Sequence, residues 1–231
     1  MIGGSSGWSG IAADIEKSVA GSSLTVNLNG SSEIPAAVLT AVGKSKATVE
    51  FKVSDKASWV VNGVNISGAV SSVNAGVTVG GSSIPESVVN TAVKGLNIVQ
   101  VAFDKTGKLG IDMSLKVNLG KTYAGNFANV YRVSGNSLEF SKVCVINSDG
   151  AAVLPVDTAE NYVIVVDDIS RMSGDIDNNM VVNVLDASAI LKHAVGKNII
   201  NDKKLQFADF NNDGRINVSD ASAILKYAVG A

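Results

Sequence analysis

Two stretches of the chain place oxygen-bearing side chains at alternate positions. The first is Asp175-Ile176-Asp177-Asn178-Asn179-Met180-Val181-Val182-Asn183-Val184-Leu185-Asp186; the second is Asp209-Phe210-Asn211-Asn212-Asp213-Gly214-Arg215-Ile216-Asn217-Val218-Ser219-Asp220. Carboxylates and carboxamides spaced this way around a coiling twelve-residue loop converge on a hard cation. In the first loop the expected donors are Asp175, Asp177, Asn179, the carbonyl of Val181, Asn183 through a water, and Asp186 through both oxygens. In the second they are Asp209, Asn211, Asp213, the carbonyl of Arg215, Asn217 and Asp220. About seven flexible, oxygen-only donors select Ca²⁺ over Mg²⁺, zinc or copper. Two calcium ions are therefore expected, one per loop. A single Asp/Asn cluster would be explained by turn formation alone, but two clusters in register are not.

Met180 stands where Gly214 stands in the second loop, at a position that calls for a left-handed backbone, and a side chain there costs about 1 kcal/mol. The first loop is thus expected to be the weaker site. Without a cation the carboxylates repel one another, and a module this small has little core to compensate, so chelation should cost helix.

A helical pattern follows each loop. Asp186-Ala187-Ser188-Ala189-Ile190-Leu191-Lys192-His193-Ala194-Val195-Gly196 and Asp220-Ala221-Ser222-Ala223-Ile224-Leu225-Lys226-Tyr227-Ala228-Val229-Gly230 are near-identical helical patterns, each stopped by Gly. Nothing before Asp175 has helix-length amphipathicity, so the unit is loop then helix. That departs from a calcium sensor, which has helices on both sides of its loop. Two such units resemble a type I-like dockerin over residues 174–231. The resemblance implies an all-α module with two EF-hand-like loop-helix motifs, related by a pseudo-two-fold and docking on a cohesin of a cellulosome-type, extracellular assembly. Carried over position by position, it implies partner contacts at Val184, Leu185, Lys192 and His193 in the first repeat and at Val218, Ser219, Lys226 and Tyr227 in the second. Ile190, Leu191, Ile224 and Leu225 are expected in the module's core. His193, the chain's one histidine, has no second His or Cys nearby and reads as a helix-surface residue rather than a metal ligand.

Residues 1–168 read as a mainly β, sandwich-like domain with short helices, joined by a linker at 169–173. Leu24–Leu28, Thr48–Val53, Ile98–Phe103 and Met113–Leu119 alternate apolar with polar residues, as half-buried strands do, whereas the unbroken Val163-Ile164-Val165-Val166 suits a strand covered on both faces. Asn62-Gly63 predicts a type I′ hairpin turn, and Ser148-Asp149-Gly150 a second turn. Short helices are expected over Pro35–Gly43 and Pro85–Gly95, each entered by Pro and left by Gly. Their shared strand, Ser-Ser, Ile-Pro helix and strand order suggests an internal duplication. A further amphipathic segment, Trp8 to Val19, should pack Trp8, Ile11, Ile15 and Val19 on one side. Gly7–Ala12, Ser58–Gly63, Ala124–Tyr131 and Glu160–Val166 resemble a β-rich accessory module (X-type) of secreted proteins from anaerobic, clostridia-like bacteria. That resemblance implies a location and a supporting role but no ligand.

Composition narrows the remaining function classes. With 46% hydrophobic residues and 17% charged ones, 231 residues suffice for one good core and a second small unit. A net charge of −2 supplies no basic field for nucleic acid or an anionic membrane. No apolar run is long enough to span a bilayer, so no membrane insertion is expected. Met1 to Ser6 lacks the charged and apolar regions of a signal peptide, and such a start fits a segment excised from a longer secreted protein. Lone Cys144 can form no internal disulfide and reads as a packed thiol. No catalytic residues are expected. Glu50 faces the wet side of its strand, Glu33, Glu86, Glu139 and Glu160 sit at turns or helix starts, and a histidine-based triad would have only His193 to use. Glycan binding by the N-terminal module is the alternative. It is disfavoured because aromatics are 5% of the chain, and Phe51, Trp59, Phe103, Phe127, Tyr131, Phe140 and Tyr162 read as core, leaving Trp8 as the one candidate for a sugar platform.

Overall fold

The computed structural model of the chain describes residues 7–90, 97–197 and 199–230. In order it contains α1 (Gly7–Glu16), β1 (Ser23–Asn27), β2 (Glu33–Ile34), α2 (Ala36–Ser45), β3 (Thr48–Lys52), β4 (Ala57–Asn62), β5 (Val73–Asn74), β6 (Val77–Val79), α3 (Glu86–Val89), β7 (Asn97–Phe103), β8 (Gly107–Asn118), β9 (Phe127–Ser134), β10 (Ser137–Val145), β11 (Ala151–Ala159) and β12 (Tyr162–Asp167). Then come α4 (Val184–Lys192), α5 (Asp202–Leu205) and α6 (Val218–Ala228). The expected layout, a mainly β sandwich with short helices followed by an all-α region, is the one adopted.

One sheet has the order β1-β3-β4-β8-β11 and the other β10-β9-β12-β7-β6; β2 and β5 form a small third sheet. The core between the sheets gathers alternate strand residues such as Val49, Phe51, Trp59, Leu115, Leu154 and Ile164, with Ile11 and Ile15 of α1 and Leu39 and Val42 of α2. The Trp59 indole N–H donates to the Ala75 carbonyl, so its one polar atom is satisfied inside. On the second sheet's other face Val163 and Val165 of β12 pack under Ile84, Val88 and Val89. Strand β12 is thus central in its sheet and covered on both sides, which is why it reads as an unbroken apolar run. Cys144 is half-buried against the core, and burial pushes its thiol pKa up.

Several sequence expectations need correction. Asn62-Gly63 is not a hairpin turn: the Asn62 side chain accepts from the Val64 N–H and opens a 3₁₀ turn over Gly63–Asn65. Gly63 is required there for proximity, since a Cβ would come within 2.1 Å of the Val42 carbonyl oxygen. The turn at Gly150 carries the chain from β10 to β11, but these lie in different sheets. Helix α2 continues through Gly43 and closes on left-handed Lys46. Of the Pro85–Gly95 helix, residues 91–95 lie outside the described residues, and α3 covers Glu86–Val89. The two similar strand-helix-strand units take different paths, for β1 and β3 pair parallel while β6 and β7 pair antiparallel. Val19, past the end of α1, is exposed rather than packed. Glu139 lies within strand β10, not at a turn.

Candidate metal centre and docking surface

Both loops close on the carboxylate at their last position, and the two helix starts are built alike. Asn183 accepts from the Leu185 N–H while Asp186 Oδ2 accepts from the Asn183 N–H at 2.9 Å, a capping box that fixes the first turn of α4. Asn217 and Asp220 do the same for α6. Asp186 and Asp220 are fully buried, and Asp186 Oδ1 also takes the N–H groups of Ile176 and Asp177 at 2.7 and 3.2 Å. Four of the expected metal ligands, Asn183, Asp186, Asn217 and Asp220, are therefore also the residues that start the helices. Behind them Ile190 and Ile224, both fully buried, meet across the α4–α6 pair with Ile176, Val182, Ala187, Ile200, Ala208 and Ala221.

The first loop brings one oxygen each from Asp175, Asp177 and Asp186 within 4.8 Å of one another, the one such group among the described residues. Asp175 is fully buried, and its Oδ2 has no hydrogen-bond partner. A buried carboxylate oxygen that accepts no hydrogen bond costs several kcal/mol unless a cation lies near it. The Lys204 ammonium, 3.9 Å away, offsets part of that cost, and an oxygen-coordinated divalent ion fits the three-carboxylate cluster. Partial desolvation raises the Asp177 carboxyl above the usual range, and nearby Asp186 and Asp175 add to the rise against the opposing Asn179 N–H. Asn179, Val181 and Asn183 are tied into the same turn: Asn179 Oδ1 accepts from Val181 N–H, and the Val181 carbonyl accepts from Asn183 Nδ2. In the second loop Asp209 instead turns both oxygens onto backbone, accepting from Asp213 and Gly214 N–H groups, while Asn211 and Asp213 bond each other, and the Arg215 N–H bonds Asp213. The two loops share one backbone trace, left-handed at Asn178 and Met180 in the first and at Asn212 and Gly214 in the second. Met180 thus takes the strained conformation its position demands, yet it lies in the loop whose carboxylates converge.

Sequence spacing did not reveal a cation at the back of the first loop. Lys204, on α5, is 1% exposed; its Nζ donates to the Ser170 carbonyl at 2.7 Å and to the Asp175 carbonyl, and lies 3.9 Å from Asp175 Oδ2. Burial lowers its pKa against the pull of Asp175, Asp186 and Asp177. In the sequence Lys204 looks like one of two adjacent surface lysines; the Asn201 cap that starts α5 is the one signal that could have placed it.

The helix surfaces repeat as the loops do. Val184 and Val218 are 60% and 63% exposed, Leu185 61% and Tyr227 57%, and Lys192, Ser219 and Lys226 are exposed as well. His193 is half-buried, in a wide turn that ends α4, and Tyr227 sets its ring edge-on to Phe210. Leu191 and Leu225 are each 39% exposed, which corrects the expectation that they belong to the core. Like Val184, Leu185 and Val218, they are apolar side chains left exposed.

Residues 173–228 match the family model described as Dockerin type I domain. No curated protein and no solved structure matches the chain. The matched segment contains both loops and all eight expected docking positions. Dockerin domains are non-catalytic modules that in general bind calcium and dock on cohesins.

Proposed function

We propose that this chain is a calcium-dependent docking component that attaches its carrier to a cohesin of an extracellular, cellulosome-like complex. One calcium ion binds each loop, through the twelve donors expected from spacing. The observation that carries the reading is the matched pair of repeats: equivalent carboxylates are buried at equivalent helix starts, and equivalent apolar side chains stand exposed beside them. Val184, Leu185, Lys192 and His193, or Val218, Ser219, Lys226 and Tyr227, meet the cohesin, so the module has two docking orientations related by about half a turn. The N-terminal module takes a supporting, non-catalytic part. Glu50 is paired with Lys116, and Glu139 and Glu160 flank Arg132. The open cleft of about 530 Å³ over β4, β8 and β11 is lined by Asp112 and Asp157 among others, with neither an aromatic to stack a sugar nor a histidine.

The test is binding of the full chain to a panel of type I cohesins in calcium and in chelator. Calorimetric titration should find two calcium sites, and a cognate cohesin should be lost on chelation. Were the two orientations equal, Val184→Asp with Lys192→Asp would cost about twofold, the loss of one of two modes. Leu185 against Ser219 and His193 against Tyr227 break the symmetry, so a preference is expected, and that pair and Val218→Asp with Lys226→Asp should differ in cost. Adding Val218→Asp and Lys226→Asp should abolish binding, and near-native affinity in that four-fold variant would overturn the docking assignment.

A further inference from the structure

The segment joining the two modules has a hydrogen-bonding pattern unlike that of a tether. Ile169 and Ser170 are buried, and their backbone groups are shared alternately between the modules. The Ile169 carbonyl accepts from Asn129 Nδ2 at 3.0 Å, and the Arg171 N–H donates to Asn129 Oδ1 at 2.7 Å; Asn129 is a fully buried residue of β9. Between those two grips Ser170 faces the other way. Its N–H donates to Asn178 Oδ1 at 3.0 Å, and its carbonyl accepts from Lys204 Nζ. Asn178 is the left-handed residue in the middle of the first loop, and Lys204 also holds the Asp175 carbonyl, at the loop's first position. Ser170 and Lys204 each stand five residues before the first aspartate of a loop, Asp175 and Asp209. Lys204 therefore reaches from the second repeat to its counterpart in the first, which leads in from the sandwich. Arg171 adds a second tie, bonding Asp167 at 2.9 Å and lying 5.9 Å from the Phe207 ring centre, on the other face of the junction.

We infer that the N-terminal module is a working part of the first calcium site. Asn129 fixes Ser170, and Ser170 fixes the loop at Asn178 and, through Lys204, at Asp175. Asn129, Asn178 and Lys204 are positioning residues, since none of them supplies an expected ligand. The inference rests on the first loop holding calcium, as proposed above. Among the described residues the second loop has no such support: Asn212, the twin of Asn178, is exposed, and Asp209 satisfies its oxygens on its own loop's backbone. The device also bears on Met180. A loop strained by a left-handed methionine is held in that shape from outside, so the ordering need not be supplied by the ion at the moment of binding. Coupling of this kind is reciprocal, so calcium in the first loop must tighten the junction by the same factor by which the junction tightens calcium.

The experiment is calorimetric titration of the full chain with Ca²⁺, with Asp209→Ala as the background that leaves only the first loop to titrate. Asn178→Gly removes the bond to Ser170 while keeping a residue that adopts the left-handed backbone freely. It should weaken the first site about fivefold, the worth of one such hydrogen bond. In the native background Asn212→Gly should leave that site unchanged. Asn129→Ala should weaken the same site, and combining it with Asn178→Gly should cost no more than the larger single effect, because both act through Ser170. Hydrogen exchange supplies a second readout: calcium should slow the Ser170 and Arg171 amides in the native chain and not in Asn178→Gly. If Asn129→Ala lowers the unfolding midpoint but leaves calcium affinity alone, or if Asn178→Gly and Asn212→Gly each weaken only their own loop and by the same factor, the inference is overturned and the junction is structural only. Absence of any calcium binding in the native chain would bring down the proposed function together with it, whereas calcium binding indifferent to Asn129 and Asn178 would bring down this inference alone.

Discussion

Replacing Lys204 by methionine separates the effect of its ammonium from that of the calcium ion proposed for the first loop. Methionine is similarly long and unbranched, so the change removes a charge and its hydrogen bonds with little loss of packing. At 3.9 Å from Asp175 Oδ2, and at the effective dielectric of about 20 that suits protein sites, the ammonium attracts the carboxylate by about 4 kcal/mol. Removing one partner of a buried pair typically costs about 3–5 kcal/mol. In chelator, then, Lys204→Met should destabilise the C-terminal module by about 4 kcal/mol. In saturating calcium the ion meets Asp175 and repels the ammonium, and losing the two carbonyl bonds is offset by no longer burying a charge; about 1–2 kcal/mol remains. At about 4–8 °C per kcal/mol for a domain near this size, the midpoint should fall by roughly 16–32 °C in chelator and by much less in calcium. The assay is thermal unfolding of the full chain followed by far-ultraviolet circular dichroism at a series of calcium concentrations, in which the native and variant curves should converge as calcium rises. Equal losses in chelator and in calcium would refute the reasoning, because Lys204 would then act only as a packing or hydrogen-bonding group.

Ile190→Ala should destabilise the C-terminal module by about 2–5 kcal/mol, as deletion in a closed core does, whereas Leu191→Ala should cost less than about 1 kcal/mol and instead weaken cohesin binding; urea midpoints and pull-down check the pair. Gly63→Ala drives a methyl toward the Val42 carbonyl, so it should cost the N-terminal module at least about 1–3 kcal/mol; an unchanged tryptophan-fluorescence midpoint would contradict that. Burial, reinforced by Glu160 and Asp157, pushes Tyr162 up to about 12 from 10.0. The folded chain therefore keeps a proton that the unfolded chain gives up. This contribution to stability is complete below pH about 10 and disappears as the pH rises through about 12. Tyr162→Phe should flatten that part of the alkaline limb in urea midpoints measured against pH, and an unchanged slope would count against it.

The loop-helix repeats were legible in the sequence because calcium geometry imposes a strict spacing and a helix start imposes its own residues; Asp186 and Asp220 start the helices from the positions where that spacing expects the last ligand. The strands were legible for a similar reason, since Phe51, Trp59 and Leu115 alternate with wet-face neighbours, and β12 shows its double burial as an unbroken apolar run. Periodicity carries no information on which distant groups meet. Asn62-Gly63 has hairpin chemistry, but contact with Val42 and Ala47, brought in by α2, outweighs it. Val19 fits the helical pattern of α1, yet the helix ends before reaching it. Leu191 and Leu225 are apolar neighbours of core isoleucines, and only the crossing of α4 and α6 decides which side chain points inward. The junction was the least legible part. Asn129 sits inside a strand, Lys204 beside another lysine, and Ser170 in a stretch whose composition resembles a loose connector, so each acquires its role only through partners at large sequence separation.

A connector gripped at Ile169 and Arg171 by Asn129 and at Ser170 by Asn178 and Lys204 is bonded to both modules at three successive residues. A floppy tether would let the sandwich sweep a broad volume around its mooring and erase any memory of how the helices are seated. Here the connector is hydrogen-bonded to both modules, so a half turn of the helices at the mooring would carry the sandwich with it. If both proposed seatings operate, they would then be two separate addresses in a crowded assembly, distinguishable by what neighbouring modules leave room for.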